Sequence, residues 1–192
     1  NFSSDMSKTI KIKKGYDIKL EGEASTQVGG EITSKSYALK PTDFKNITPR
    51  LQLKEGSEVK AGDAIFADKD RPEIKFCSPV SGEIAEIKRG AKRKILEIVI
   101  LADKETRFAD FGKASPADLS KEQITEKLLA SGAWTLLIER PFGVVANPKH
   151  TFKNTFITGI QSSPLSADVN LQVSGEGKNL QTGIDALAKL SE

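Results

Sequence analysis

Between Leu51 and Leu101 every apolar segment is cut short by a Gly or a Pro, and that punctuation makes this half of the chain strand-like. The segments are Leu51 to Leu53, Val59, Ile65 to Phe66, Ile74 to Phe76, Ile84 to Ile87 and Ile95 to Leu101. Gly56, Gly62, Pro72, the run from Pro79 to Gly82, and Gly90 separate them. Short apolar runs bounded by turn residues at even spacing read as a small sandwich or barrel. Upstream, TIKIKKGYDIKLEG alternates apolar and polar residues at Ile10, Ile12, Ile18 and Leu20 around Gly15, which predicts two more strands joined by a turn. Ser25 to Ser36 is polar and Gly-rich and reads as a loop.

The pattern changes after Leu101. ADKETRFADFGKASPADL reads as a connector. Asp118 and Ser120 are the candidate caps of a helix carrying Leu119, Ile124, Leu128 and Leu129, and Ser131-Gly132 ends it. Trp134 to Ile138 is a short apolar stretch broken by Arg140-Pro141-Phe142. Thr155 to Ile160 is expected to be a buried strand. SSPLSAD is expected to turn, and Leu180, Ile184, Leu187, Ala188 and Leu190 place an apolar face on a last helix. Helix, strand and helix predict the opening part of an α/β layer. The expected organisation is therefore mixed α+β. Residues 1–8 are an extension or a remnant of cloning, 9–101 a β domain, 102–117 a linker and 118–192 a truncated α/β domain.

Composition narrows the function. Of 192 residues, 29 are Lys or Arg and 26 are Asp or Glu, a net charge of +3 that gives no electrostatic footprint for nucleic acid. No run approaches the ~18 consecutive apolar residues of a membrane span, and NFSSDMSKTI lacks the apolar core of a signal peptide. With one Cys and one His, an iron–sulfur cluster, a Cys/His zinc site and a Ser-His-Asp triad all lack the residues they need. Cys77 reads as a small buried residue. The densest charge feature is a run of five basic residues, Lys88, Arg89, Lys92, Arg93 and Lys94, between the alternating IAEI and ILEIVI. That places it at a barrel end, as a docking surface for an anionic partner or membrane.

LKEGSEVKAGDAIF and FCSPVSGEIAEIKRGAK resemble the biotinyl/lipoyl barrel-sandwich. A carrier of that fold needs an acylatable Lys at a hairpin tip. Here the tip is ADKDRPEIKF, and the matching position falls at Arg71 or Pro72, so the swinging-arm chemistry is missing. With the second half added, RGAKR (Arg89 to Arg93), ASGAW followed by RPF (Ala130 to Phe142) and PLSAD (Pro164 to Asp168) make the chain similar to the A-subunit family of the sodium-translocating NADH:quinone reductases. The resemblance runs from about Ile10 to about Leu190. Family members usually carry an acidic residue and an Asn where Gln161 and Ser163 stand, so no role is carried over to those two side chains.

The resemblance implies an α/β domain similar to the flavin subunit of complex I. That protein holds flavin phosphate with a Gly-rich loop where this chain has GAWTLLIERPFGVVANP. Here only Gly132 and Gly143 flank ten residues that include Trp134, Leu136, Leu137 and Ile138, side chains that deny a phosphate close access to the main chain. The implied role is thus a peripheral component with no cofactor of its own, on the cytoplasmic face of the inner membrane. NADH, flavins, an iron–sulfur centre and quinone would be handled by other subunits, the membrane subunits being its chief partners. Trp134, Arg140, Phe142 and Phe156 are candidate quinone contacts. Two alternatives stay open: an Rnf-type electron-transport C-subunit whose flavin and clusters lie in missing domains, and a non-carrier biotinyl/lipoyl-like interaction module.

Overall fold

The structure is a computed structural model that describes residues 11, 13–15, 18, 20–22, 25, 27–161, 163 and 166–191. They fall into two compact units, Gly30–Ile157 with Glu176–Glu192, and Asn1–Gly29 with Thr158–Gly175.

The larger unit is built on seven short strands: β1 (Ser36–Leu39), β2 (Pro49–Leu51), β3 (Glu58–Val59), β4 (Ala64–Asp68), β5 (Lys75–Cys77), β6 (Gly82–Arg89) and β7 (Ile95–Ala102). They form two antiparallel sheets of order β1-β7-β6-β3 and β2-β4-β5. Alternation explains the packing. On β7, Ile98 and Ile100 are buried while Glu97 and Val99 between and beside them are half-exposed; on β6, Ile84 is buried and Glu83 exposed. These residues share one core with Ile65, Phe66, Ile74 and Phe76 of the second sheet. Phe66 stacks on Phe76 with centroids 4.4 Å apart, and Phe44 meets Phe76 edge-on. Gly82 is required by proximity, because a Cβ there would lie 1.8 Å from the Leu101 carbonyl oxygen.

The segment after β7 does not hang free. Ala61 exchanges backbone hydrogen bonds with Arg107 and Ala109, and Ser81 Oγ accepts from the Arg107 amide at 2.9 Å. Helix α1 (Lys121–Ala130) starts at a capping box: Ser120 Oγ accepts from Gln123 N–H, and Gln123 Oε1 accepts from Ser120 N–H. It stops at Ser131-Gly132, where Gly132 turns left-handed at φ 76°. A turn at Ala133–Leu136 leads into a two-strand hairpin, β8 (Ile138–Glu139) and β9 (Val144–Val145). Ile124, Trp134, Val145 and Leu190 extend the barrel core into this layer. The smaller unit carries the short helix α2 (Val169–Gln172), capped by Asp168. Helix α3 (Gly177–Ala188) belongs to the larger unit, and Lys189 just beyond it donates to the carbonyls of Ala117 and Leu119 at 3.0 and 2.7 Å.

Two expectations fail. Thr155 to Ile160 forms no strand and is not buried: Phe156 is 92% exposed and Ile160 82%. Its β-branched and aromatic residues favour a pleated surface only where a neighbouring strand exists to supply one, and no strand pairs with it among the described residues. Likewise Ile18 and Leu20 are exposed and outside any strand, while Ile10 and Ile12 lie outside the described residues. The turn expected at SSPLSAD lies partly outside them too.

Candidate functional site

The basic run sits where the alternation put it, at the closed end of the β6–β7 hairpin. All five side chains, Lys88, Arg89, Lys92, Arg93 and Lys94, are exposed. The loop is held by its own backbone. Gly90 N–H donates to Lys94 O at 2.8 Å, Lys94 N–H to Ala91 O, and Arg89 Nη1 to Arg93 O. Lys92 and Arg93 stand in the left-handed region at φ 53° and 60°, a conformation that costs a non-Gly residue on the order of 1–2 kcal/mol. Just below the turn Glu97 accepts from Lys88 at 3.0 Å and lies 3.3 Å from Lys40. The Lys88 hydrogen bond, then that of Lys40, holds the Glu97 carboxyl below its ordinary range, and the same contact raises Lys88. Lys88 is thus paired with a carboxylate, while the run from Arg89 to Lys94 contains none. Sequence reasoning missed the Lys40–Glu97 anchor, since nothing local joins residues that distant.

At the carrier-like hairpin tip, Arg71 is fixed rather than free. Its Nε donates to Asp68 Oδ2 at 2.8 Å and its Nη1 to Val145 O at 3.2 Å. Asp68 is buried, and its Oδ1 also accepts the Thr48 amide. The corner that would present an acylated Lys in a carrier is an ion pair between the buried Asp68 and the half-buried Arg71, tied to β9.

Several amides between Ser131 and Asn147 are engaged. Gly132, Thr135, Leu137, Gly143 and Ala146 donate to main-chain carbonyls, and Asn147 donates to the Glu139 carboxylate. Gly132 serves packing: a Cβ there would lie 2.8 Å from Cys77 Sγ on β5. Gly143 closes the β8–β9 turn at φ 67°. Cys77 is half-buried, and burial pushes its thiol up to about 11, with Lys75 opposing and Asp63 adding to the rise.

Of the four candidate quinone contacts one is buried and three are exposed. Trp134 is 1% exposed, its indole N–H donates to Ala146 O at 2.8 Å, and it stacks on Phe152. Arg140, Phe142 and Phe156 are exposed. A depression of about 470 Å³ between α1 and β5 is lined instead by Glu73, Lys75, Glu122, Glu126, Leu129 and Pro148 among others, of both charge signs. His150 lies at the surface beside Glu139 and Asn147, 3.2 Å from each. No group of three His, Cys, Asp or Glu among the described residues is placed to hold a metal ion.

Comparison with known proteins adds the decisive observation. Two family models match in succession: the NqrA N-terminal barrel-sandwich hybrid domain over residues 10–103, and the NqrA second alpha/beta domain over residues 119–192. The chain belongs to the NqrA family. Relatives of this NqrA chain include the A-subunit of the Na(+)-translocating NADH-quinone reductase of Pseudomonas aeruginosa, 34% identical over 184 residues, covering 95% of this chain and 41% of the relative. The proteins of the same name from Vibrio vulnificus and Serratia proteamaculans are each 35% identical, over 185 and 188 residues, covering 95% of this chain and 42% of theirs. The NqrA chain thus spans about two fifths of the length of the curated relatives it matches. The barrel-sandwich implied by the biotinyl/lipoyl resemblance is the first NqrA domain, and the α/β layer expected after it is the second.

Proposed function

We propose that this NqrA chain is part of the peripheral A-subunit of a sodium-translocating NADH:quinone reductase, a complex that moves electrons from NADH to quinone and couples this to sodium export. The observation that carries the reading is the order of the two domain matches on one chain, together with relatives of that name over 95% of its length. Within the complex the chain acts as scaffold and docking surface on the cytoplasmic face of the membrane, and the flavins and iron–sulfur centre belong to other subunits. The engaged amides from Ser131 to Asn147 support a chain without a phosphate cradle there. No helix among the described residues is long and apolar enough to cross a membrane, which favours surface attachment. The exposed hairpin tip, with Lys88, Arg89, Lys92, Arg93 and Lys94, is the docking element toward anionic lipid and the membrane subunits. Each such residue contributes about 1 kcal/mol at an anionic surface. Quinone contact through Trp134, Arg140, Phe142 and Phe156 is the finer part of the proposal.

The test is rebinding to a reductase stripped of its NqrA component. The wild-type chain is expected to rebind, more weakly as salt rises, and a variant with all five basic residues changed to Gln at least tenfold more weakly. No rebinding of the wild type would overturn the reading of the chain as part of the reductase, and equal rebinding of both would overturn the docking role of the hairpin. Quinone titration followed by Trp134 fluorescence addresses the finer part. Quenching in this chain supports a pocket here, and quenching only in a full-length relative removes it.

A further inference from the structure

Leu51 ends β2, and the chain then crosses from the second sheet to β3 of the first. Beside this crossing lies a cleft of about 250 Å³, lined by Leu51, Leu53, Lys54, Glu55, Ile87 and Arg89. Its floor is apolar. Leu51, Leu53 and Ile87 are half-buried and pack on the barrel core. Ile87 reaches that side because the register of β6 shifts between Ile84 and Glu86, so two residues three apart share the core face. The rim is cationic. Lys54 and Arg89 are exposed, and among the described residues neither forms an ion pair. The carboxylate in the lining is already engaged, since Glu55 Oε1 accepts the Ile87 amide at 2.7 Å. Arg89 belongs both to the cleft and to the basic turn, so the two surfaces are continuous.

We infer that this cleft seats the glycerol end of one anionic phospholipid. The phosphate lies on Lys54 and Arg89, and the first methylenes of an acyl chain lie on Leu51, Leu53 and Ile87. The inference rests on the proposed docking of the basic turn toward anionic lipid and adds to it a site for a single molecule. Size selects the occupant. The cleft falls short of the ~300 Å³ that encloses a whole small-molecule ligand, so it takes one end of a longer molecule. Chemistry selects it too. Exposed cations attract any anion, but an apolar floor beside them rewards methylenes, and each one removed from water tightens binding about fourfold. A negative head joined to an aliphatic chain satisfies both surfaces at once.

The probe is dihexanoyl phosphatidylglycerol held below its micelle concentration. It is titrated into the isotopically labelled chain and followed by the methyl shifts of Leu51, Leu53 and Ile87. Saturable shifts are expected. Glycerol phosphate, which lacks the methylenes, should bind at least about tenfold more weakly, and dihexanoyl phosphatidylcholine, which lacks the net charge, about tenfold more weakly. Equal binding of glycerol phosphate would reveal a patch for free phosphate, and equal binding of phosphatidylcholine a surface for acyl chains alone. Either result overturns the inference, as does the absence of saturable shifts. Lys54→Glu, an exposed change outside the basic turn, should weaken phosphatidylglycerol about tenfold with the melting midpoint unchanged. Unaltered affinity in that variant overturns the inference as well. Vesicles of phosphatidylglycerol separate this site from the wider reading. Vesicle binding without saturable methyl shifts removes the cleft and leaves the docking role of the turn in place.

Discussion

Cys77 shows how one packing contact sets both chemistry and conformation. Its sulfur fills the space that the missing side chain of Gly132 leaves, so the left-handed helix stop and the thiol are matched to each other. Burial disfavours the thiolate, and the folded protein holds the proton until about pH 11, against 9.0 for a free thiol. The sign of the linkage follows. Below pH 9 both states are protonated and the group is silent. Between about 9 and 11 the unfolded chain loses the proton first, so stability falls as pH rises. Iodoacetamide labelling of the native protein is expected to be slow at pH 8 and to climb toward pH 11, while the urea-unfolded chain reaches its plateau about two units earlier. Cys77→Ala should remove the thiol's share of the alkaline loss of stability. Coincident labelling profiles for the two states would show that the thiol is not buried as described.

At the scale of elements, the β6–β7 hairpin separates shape from charge. The left-handed conformations of Lys92 and Arg93 suit Gly better than either native residue. The double change Lys92→Gly and Arg93→Gly is therefore expected to leave the urea midpoint unchanged or to raise stability by about 1 kcal/mol. Binding to vesicles rich in anionic phospholipid should fall at least tenfold. Loss of stability instead would mean that the two side chains hold the turn. This hairpin was legible in advance because IAEI and ILEIVI alternate on either side of a Gly-containing loop, and α1 because Ser120 and Ser131-Gly132 mark its ends. FITGI was not. A strand's own residues state a preference, but pairing depends on a neighbour, and for Phe156 and Ile157 the described chain supplies none.

At the scale of the molecule, Arg71 joins the barrel to the layer that follows it. Its guanidinium bridges the buried Asp68 and the carbonyl of Val145, 74 residues further along. Such separation is why the sequence marked Arg71 only as a mismatch to a carrier and not as a joint. Removing it leaves a buried carboxylate without its charge partner, and Arg71→Ala is expected to cost about 3 kcal/mol. Because one core spans both parts, the barrel, followed by far-ultraviolet dichroism, and the α/β layer, followed by Trp134 fluorescence, should melt at the same lowered midpoint in urea. Split transitions would show that the two parts fold independently. The joint has a further consequence. In a swinging-arm protein this corner must travel, ferrying its passenger between reaction centres. Here the guanidinium ties it to the main chain of the neighbouring layer, so a corner free to swing would first have to give up both of those contacts.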